Sequence, residues 1–289
     1  MNVFKILYES CVCRISEYGS AVWGFHQYSS LTKIHNRAIS TYLGQSKCAP
    51  LAAQRNELCW MEPRSRSQIN MIRFFHRLIK MPCDRLTKTI FVWDMKVGEK
   101  LGIKTWGLEI KDIFQRNNLS HLFSSFEFPL KNTIEILSCS LLSKDLLSFQ
   151  KQCMALPKLR TYNMIASFNF INGYLNKPIS FILRKFYIKT KIGTLALRIE
   201  TGRYQKLVEA DRVCLECQMN QVEDTLHFCL FCPKHSTLRN VLFSYITCDN
   251  FVYMSDSDKL KYLFNTPSLM KPFANFIMNA YYNRDQSQT

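Results

Sequence analysis

Glycine and proline are scarce in this chain, with nine of each among 289 residues. A turn-rich all-β domain needs both residue types at its many turns, so their scarcity argues against that class and favours a mainly helical one. Long apolar runs are also missing. The longest uncharged stretch, residues 161–176, has sixteen residues and contains four asparagines. It is too short and too polar to span a membrane, so the sequence predicts no membrane attachment.

Acidic side chains are in short supply. The chain carries 38 Lys and Arg residues against 22 Asp and Glu, a formal net charge of +16. The excess is eight charges in residues 1–100, eight in residues 101–200 and none in residues 201–289. Such an excess favours polyanionic partners and places their contacts in the first two hundred residues. Phosphate-binding loops and the serine nucleophile motif are absent, so no small-molecule substrate is predicted.

Apolar periodicity predicts a mainly α fold in three parts. Residues 1–150 form a basic helical region, residues 151–210 a connector with possible short strands, and residues 211–289 a small module with terminal helices. The clearest helix of the first part begins after Pro63. Its predicted buried side consists of Ile69, Ile72, Phe74, Phe75, Leu78 and Ile79.

The chain has twelve cysteines, and whether they form disulfides depends on the cellular compartment. The N-terminal twenty residues do not form a signal peptide, because Glu9 interrupts the only apolar stretch and no small-residue cleavage pattern follows. The expected location is therefore intracellular, in the nucleus or the cytoplasm. In a reducing compartment, cysteines are free thiols or metal ligands and not disulfides.

One cysteine cluster has metal-ligand spacing. Cys214 and Cys217 form a CxxC pair, and His227 and Cys232 follow to give C-x2-C-x9-H-x4-C. Tetrahedral zinc accepts such ligands, and a closed shell of four is structural because no position remains for water or substrate. Cys229 makes a second CxxC with Cys232, so a four-cysteine site without His227 has equally acceptable spacing. A zinc deaminase is excluded because no histidine is followed by glutamate two residues later.

Two groups of basic residues are candidates for nucleic-acid contacts. The first is a helical stripe made by Arg66, Arg73, Arg77 and Lys80. Cations on one helix face suit the repeated charge of a phosphate backbone, although an ordinary solvated face has the same pattern. The second group comprises Arg184, Lys185, Lys189, Lys191 and Arg203, interleaved with Phe186, Tyr187 and Tyr204. Cations beside stacking rings are typical of single-strand binding, although these rings are equally suited to a core.

Most of the chain resembles the region that follows the palm in reverse transcriptases of non-LTR retrotransposons. The segments IGTLALRIETGRY and VCLECQMNQVEDTLHFCLFCPKHSTLR are similar to that family's connector and CCHC zinc module, and LYESCVCRISEYGSAVWGF is similar to its thumb. The resemblance implies zinc ligation by the CCHC set, because Cys229 falls where the family has an apolar residue. Arg203 and Arg239 also fall on family positions, with no role assigned.

The chain departs from this family in lacking an Asp-Asp pair. Polymerisation needs carboxylate-held metal ions, so the expected protein is a non-catalytic remnant of a longer reading frame. The resemblance implies binding of RNA or an RNA–DNA template by a thumb-like region followed by a zinc-stapled module. The alternative is a zinc-stabilised helical scaffold that binds a protein and no nucleic acid. The zero net charge of residues 201–289 favours that alternative for the zinc module.

Overall fold

A computed structural model describes residues 3–166 and 179–285. These residues form sixteen α-helices and no strand beyond an isolated antiparallel bridge between Val213 and Val222. The predicted mainly α class is therefore confirmed. The helices are α1 (Val3–Leu7), α2 (Arg14–Ser16), α3 (Ser20–Trp23), α4 (Ser29–Leu43), α5 (Leu51–Leu58), α6 (Pro63–Lys80), α7 (Leu86–Leu101), α8 (Trp106–Arg116), α9 (Ser120–Ser125), α10 (Leu130–Met154), α11 (Arg160–Ile165), α12 (Phe181–Lys191), α13 (Arg198–Tyr204), α14 (Ser236–Phe243), α15 (Asp256–Asn265) and α16 (Met270–Asp285).

Shorter helical turns connect several of these helices. Within residues 3–166 and 179–285, two of these turns are π-helical, at Tyr8–Cys13 and His227–Phe231. Four others in the same ranges are 3-10 turns, at Pro157–Leu159, Glu209–Asp211, Pro233–His235 and Asp249–Tyr253. In the described ranges, no helix combines the length and apolar character required to cross a bilayer.

The chain separates into two compact units. The first unit comprises Val3–Ala38 and Cys59–Ser148, and the second comprises Ile39–Leu58 and the described residues of Phe149–Thr289. In the sequence, the two segments of the second unit are therefore separated by residues 59–148 of the first unit. The three-part division inferred from the sequence stays a prediction.

The core of the first unit is built around α6. Pro63 occupies the first helical position, where its missing N–H needs no partner. Phe75 is completely buried, and the rings of neighbouring phenylalanines lie 5.5 to 6.1 Å from its own. These neighbours are Phe91, Phe114, Phe123 and Phe128. The predicted buried side of α6 is thus confirmed, with Phe74 and Ile79 only partly covered.

The second unit packs α12 against α16. Tyr187 of α12 is buried against Phe264, with 5.2 Å between ring centroids, and donates a hydrogen bond to the Phe264 carbonyl. Phe273 of α16 packs on the same phenylalanine at 4.9 Å. These contacts form a continuous aromatic core between α12, α15 and α16.

Part of the predicted connector is helical where the sequence allowed short strands. Ser180 caps α12 by accepting a hydrogen bond from the backbone N–H of Leu183. Leu183, Tyr187 and Ile188 then fall on one buried helix face, so tertiary packing outweighs the strand preference of the surrounding β-branched and aromatic residues. Residues 167–178 of the predicted connector lie outside the described residues.

Candidate metal centre and basic surfaces

Four side chains of the second unit converge on one point. The ligand atoms of Cys214, Cys217, His227 and Cys232 all lie within 4.8 Å of one another. The first two lie in the loop that the Val213–Val222 bridge closes, where the Cys214 N–H donates to the Gln221 carbonyl over 2.8 Å. The other two stand at the ends of the π-helical turn, joined by a Cys232 N–H to His227 carbonyl hydrogen bond. This group could hold a metal ion.

The histidine ring is oriented for ligation through Nε2. That nitrogen lies 3.4 Å from the Cys217 sulfur, whereas Nδ1 lies 3.2 Å from Oε1 of Gln221. With the proton on Nδ1, His227 donates to the Gln221 amide and leaves Nε2 free for a metal. A hydrogen bond of this kind fixes the tautomer and the ring orientation of a ligating histidine.

Cys229 stands apart from the converging group. It is completely buried, and burial raises the pKa of its thiol well above the usual range. It therefore stays protonated and behaves as a small apolar residue. The spacing left His227 and Cys229 as alternative third ligands. In the structure, the ligand atom of His227, and not that of Cys229, lies with those of the other three residues.

The thiols of Cys214 and Cys232 affect each other's pKa. A hydrogen bond with Cys232, together with burial, raises the pKa of Cys214 to about 12. The same hydrogen bond lowers the pKa of Cys232. A metal ion binds thiolates, so it displaces the proton from Cys214, and its affinity falls as the pH falls.

Arg239 is hydrogen-bonded to the backbone of the ligand-bearing turn. Its guanidinium is nearly buried and donates to the carbonyls of Cys229 and Cys232 over 3.0 and 2.6 Å. The Cys232 carbonyl also accepts the His235 backbone N–H at 3.2 Å, so Arg239 adds a side-chain donor at the end of the π-helical turn. The residue to which sequence reasoning gave no role thus fixes the backbone next to a candidate ligand.

Glu223 and Arg284 form a second support that sequence reasoning missed. The Glu223 carboxylate is buried and accepts two hydrogen bonds from Arg284, at 2.7 and 2.8 Å. It also accepts the backbone N–H of Arg198 at 2.7 Å, while Arg284 donates to the Ala196 carbonyl. The ligand loop is thereby tied to α13 and α16. A sequence offers no signal that pairs two charges 61 positions apart.

Single substitutions distinguish the two candidate third ligands. We expect His227→Ala to weaken zinc binding by more than about 100-fold, because changing only a residue that orients a ligand commonly weakens binding by about 10- to 100-fold. Cys229→Ala should leave zinc affinity unchanged. Competition against a chromophoric chelator measures both affinities. A larger effect of Cys229→Ala would contradict this assignment.

The predicted stripe on α6 is only partly on the surface. Arg73, Arg77 and Lys80 are exposed, and among the described residues none of them has an ion pair. Arg66 is turned inward: its guanidinium pairs with Glu17 at 2.6 Å and donates to the Met61 carbonyl. Three of the four cations therefore share an outward face.

The second basic group is divided by the fold. Arg184, Lys185 and Lys189 lie along α12, with the Arg184 guanidinium 4.2 Å from the ring centroid of Tyr42. Partial burial and the neighbouring charge of Lys185 lower the pKa of Lys189.

Lys191 and Arg203 do not join the α12 cations. The ammonium group of Lys191 is completely buried in an ion pair with Glu57 at 2.9 Å, so it is not presented to a phosphate in solvent. Arg203 lies on α13, exposed but paired with Glu200 at 3.1 Å. Of the interleaved rings, Tyr187 is core and Tyr204 is exposed.

The fold and the convergent side chains define a mainly α-helical protein with a candidate Cys3His metal centre. Comparison of the chain with protein-family models, curated proteins and solved structures gave no match.

Proposed function

We propose that this protein is a non-catalytic RNA-binding protein with structural zinc, related to the post-palm region of non-LTR reverse transcriptases. The observation that carries the RNA-binding proposal is the outward face of α6. Arg73, Arg77 and Lys80 are exposed there, and among the described residues none of them forms an ion pair. A phosphate backbone supplies the opposite charge and releases counterions when it binds, so the face is suited to a polyanion.

The ligand chemistry supports zinc. Three thiolates and one imidazole match the tetrahedral sulfur and nitrogen sets that zinc takes in structural sites. The shell leaves no open position, and Arg239 and Gln221 both serve to orient the ligand-bearing backbone and ring. Zinc in this proposal stabilises the second unit and takes no part in a reaction.

Neutralising the α6 face tests the RNA-binding proposal. We expect the triple variant Arg73→Gln/Arg77→Gln/Lys80→Gln to make the slope of log affinity against log salt less negative by about 2, at about 0.7 per lost contact to a single strand. This corresponds to about a hundredfold weaker RNA binding at 0.1 M salt. Fluorescence anisotropy of a labelled oligonucleotide over a salt series measures both quantities.

A matched variant controls for net charge. Lys33→Gln/Arg37→Gln/Lys131→Gln removes three exposed cations from the same unit but leaves the α6 face intact. Its salt slope should stay close to that of the unmodified protein. Equal losses in the two variants would show that only overall charge matters, and absence of RNA binding by the unmodified protein would refute the proposal.

A second candidate function has its own supporting observation. The neutral part of the chain exposes apolar side chains close to the ligand positions, namely Leu215, Met219 and Phe231. An apolar, uncharged surface is suited to a protein partner and not to a phosphate backbone. In this second proposal the chain is a zinc-stabilised helical scaffold, and RNA affinity is absent even at low salt.

A further inference from the structure

Helix α7 exposes a tryptophan on the surface of the first unit. Trp93 has 64% of its surface accessible, because the inward face of the helix is fixed by other residues. Phe91 enters the core, and Gly98 lies so close to α8 that a Cβ there would be 2.7 Å from Leu108. The orientation set by these two residues turns Trp93 to solvent. Exposure of a large aromatic surface to water is unfavourable, so a ligand that covers Trp93 would gain binding energy.

A recess lies beside the tryptophan. Its volume is about 310 Å³, and all of its lining residues belong to α7 and the loop before it. They are Cys83, Lys88, Thr89, Val92, Trp93 and Lys96. Sites for small ligands begin at about 300 Å³, so the recess accommodates one planar group of nucleotide size and not a folded segment.

The charged residues that line the recess are both lysines, Lys88 and Lys96. Lys96 is exposed and has no ion pair in the described part of the chain. The two acids of α7 are occupied, since Asp94 accepts the Gly107 N–H at 2.7 Å and Glu99 pairs with Lys111 at 3.0 Å. Lys88 donates to the carbonyls of Ile79 and Met81, which fixes one wall of the recess.

An exposed ring beside an unpaired cation is suited to a nucleotide. The ring offers a stacking surface for any base, and the ammonium group contacts the adjoining phosphate. A protein partner would need both an apolar side chain for Trp93 and an acidic one for Lys96, whereas a single nucleotide supplies a ring and a phosphate together. A duplex keeps its bases inside its own stack, so only an unpaired strand presents a base to such a ring.

We infer that Trp93 is a stacking site for an unpaired base of single-stranded RNA and that Lys96 contacts the phosphate next to it. The inference rests on the proposed function and deepens it, because it names single strands as the form of RNA bound. It also adds a contact on α7 that neither predicted basic group contains.

The test compares two ligands on the full chain. One is a labelled oligouridine, and the other is an abasic oligomer with the same number of phosphates. Trp93→Ala should weaken oligouridine binding by about 5- to 150-fold, the range expected for one lost stacked base, and leave abasic binding unchanged. Trp93→Phe should retain most of the affinity, and Lys96→Gln should reduce the salt slope by about 0.7 with both ligands.

Controls separate this inference from the proposed function. Ile90→Ala alters another exposed apolar residue of α7 that does not line the recess, and should leave both affinities unchanged. If the α6 triple variant loses affinity while Trp93→Ala keeps the ratio between the two ligands, the stacking site is refuted and the proposed function stands. If the unmodified protein binds neither oligomer, both are refuted.

A protein contact at Trp93 gives a different result. In that case Trp93→Ala changes the sedimentation coefficient or the oligomeric state and leaves RNA affinity unaltered, which overturns the inference. Because the side chain is exposed, the thermal unfolding midpoint of Trp93→Ala should match that of the unmodified protein. If Trp93→Ala lowers the midpoint, Trp93→Leu, which keeps an apolar side chain but has no ring to stack on a base, replaces it in the comparison of the two ligands.

Discussion

Cys214→Ser should abolish stoichiometric zinc binding and unfold the ligand-bearing part of the second unit. Structural zinc contributes about 10–16 kcal/mol to the folding of small zinc modules at neutral pH. The Cys214 and Cys232 side chains are almost inaccessible to solvent, so loss of the ion leaves polar sulfur groups buried in close proximity without a shared cation. We expect the apolar contacts of the short ligand loop to be too weak to offset this loss of stability.

The experiment combines metal analysis with a local probe of folding. Mass spectrometry of the purified variant should find much less zinc than the single equivalent expected for the unmodified chain. Hydrogen exchange should show lost protection around the two ligand-bearing turns and α14. Cys48→Ser is the matched control, because Cys48 is exposed and outside the convergent group. Retention of zinc and of exchange protection by Cys214→Ser would refute a structural metal site.

Lys191→Met should destabilise the second unit by about 3–5 kcal/mol, the usual effect of removing one partner from a buried ion pair. Lys191 and Glu57 are both completely buried, and the ammonium lies 2.9 and 3.0 Å from the two carboxylate oxygens. Burial and the Glu57 charge raise the pKa values of Tyr162 and Tyr187 well above the usual range, so both phenols stay protonated and neutral and supply no counter-charge to Glu57.

A double variant distinguishes the pair from simple loss of packing. Glu57→Gln/Lys191→Met removes both charges at similar volume and should recover much of the lost stability, since the desolvation of both ions is also removed. Lys189→Met is the control on the same helix, where a partly exposed lysine should change stability by no more than about 0.5 kcal/mol. Urea unfolding followed by circular dichroism measures all three. A loss below about 1 kcal/mol for Lys191→Met would contradict the importance of the pair.

Local signals in the sequence predicted much of the fold and of the candidate metal site. The spacing of Ile69, Ile72 and Phe75 is enough to define a helix and its buried face, because side chains three and four apart share one side. The CxxC pair and the nearby His227 likewise lie within one short segment. Such patterns need no knowledge of distant residues.

Charges with distant partners could not be placed from the sequence. Arg66 belongs to the same helical stripe as Arg73, yet Glu17, 49 positions away, draws it inward. Lys191 has its partner 134 positions away. A cation at helical spacing has the same pattern whether it faces solvent or a buried acid, and only the fold decides between them. For α12, strand-favouring residues concealed a helix that packing against α16 stabilises.

The order of segments along the chain has a consequence for synthesis. Ile39–Leu58 belongs to the second unit but emerges from the ribosome well before α12 and α16, which complete that unit. The residues of the first unit, by contrast, are all synthesised once Ser148 has emerged. The first unit can therefore fold during translation. The apolar side chains of α5 and Glu57 stay exposed until the rest of the second unit has been synthesised. Because closure of the second unit joins segments over a hundred residues apart, we expect this unit to form later and more slowly than the first.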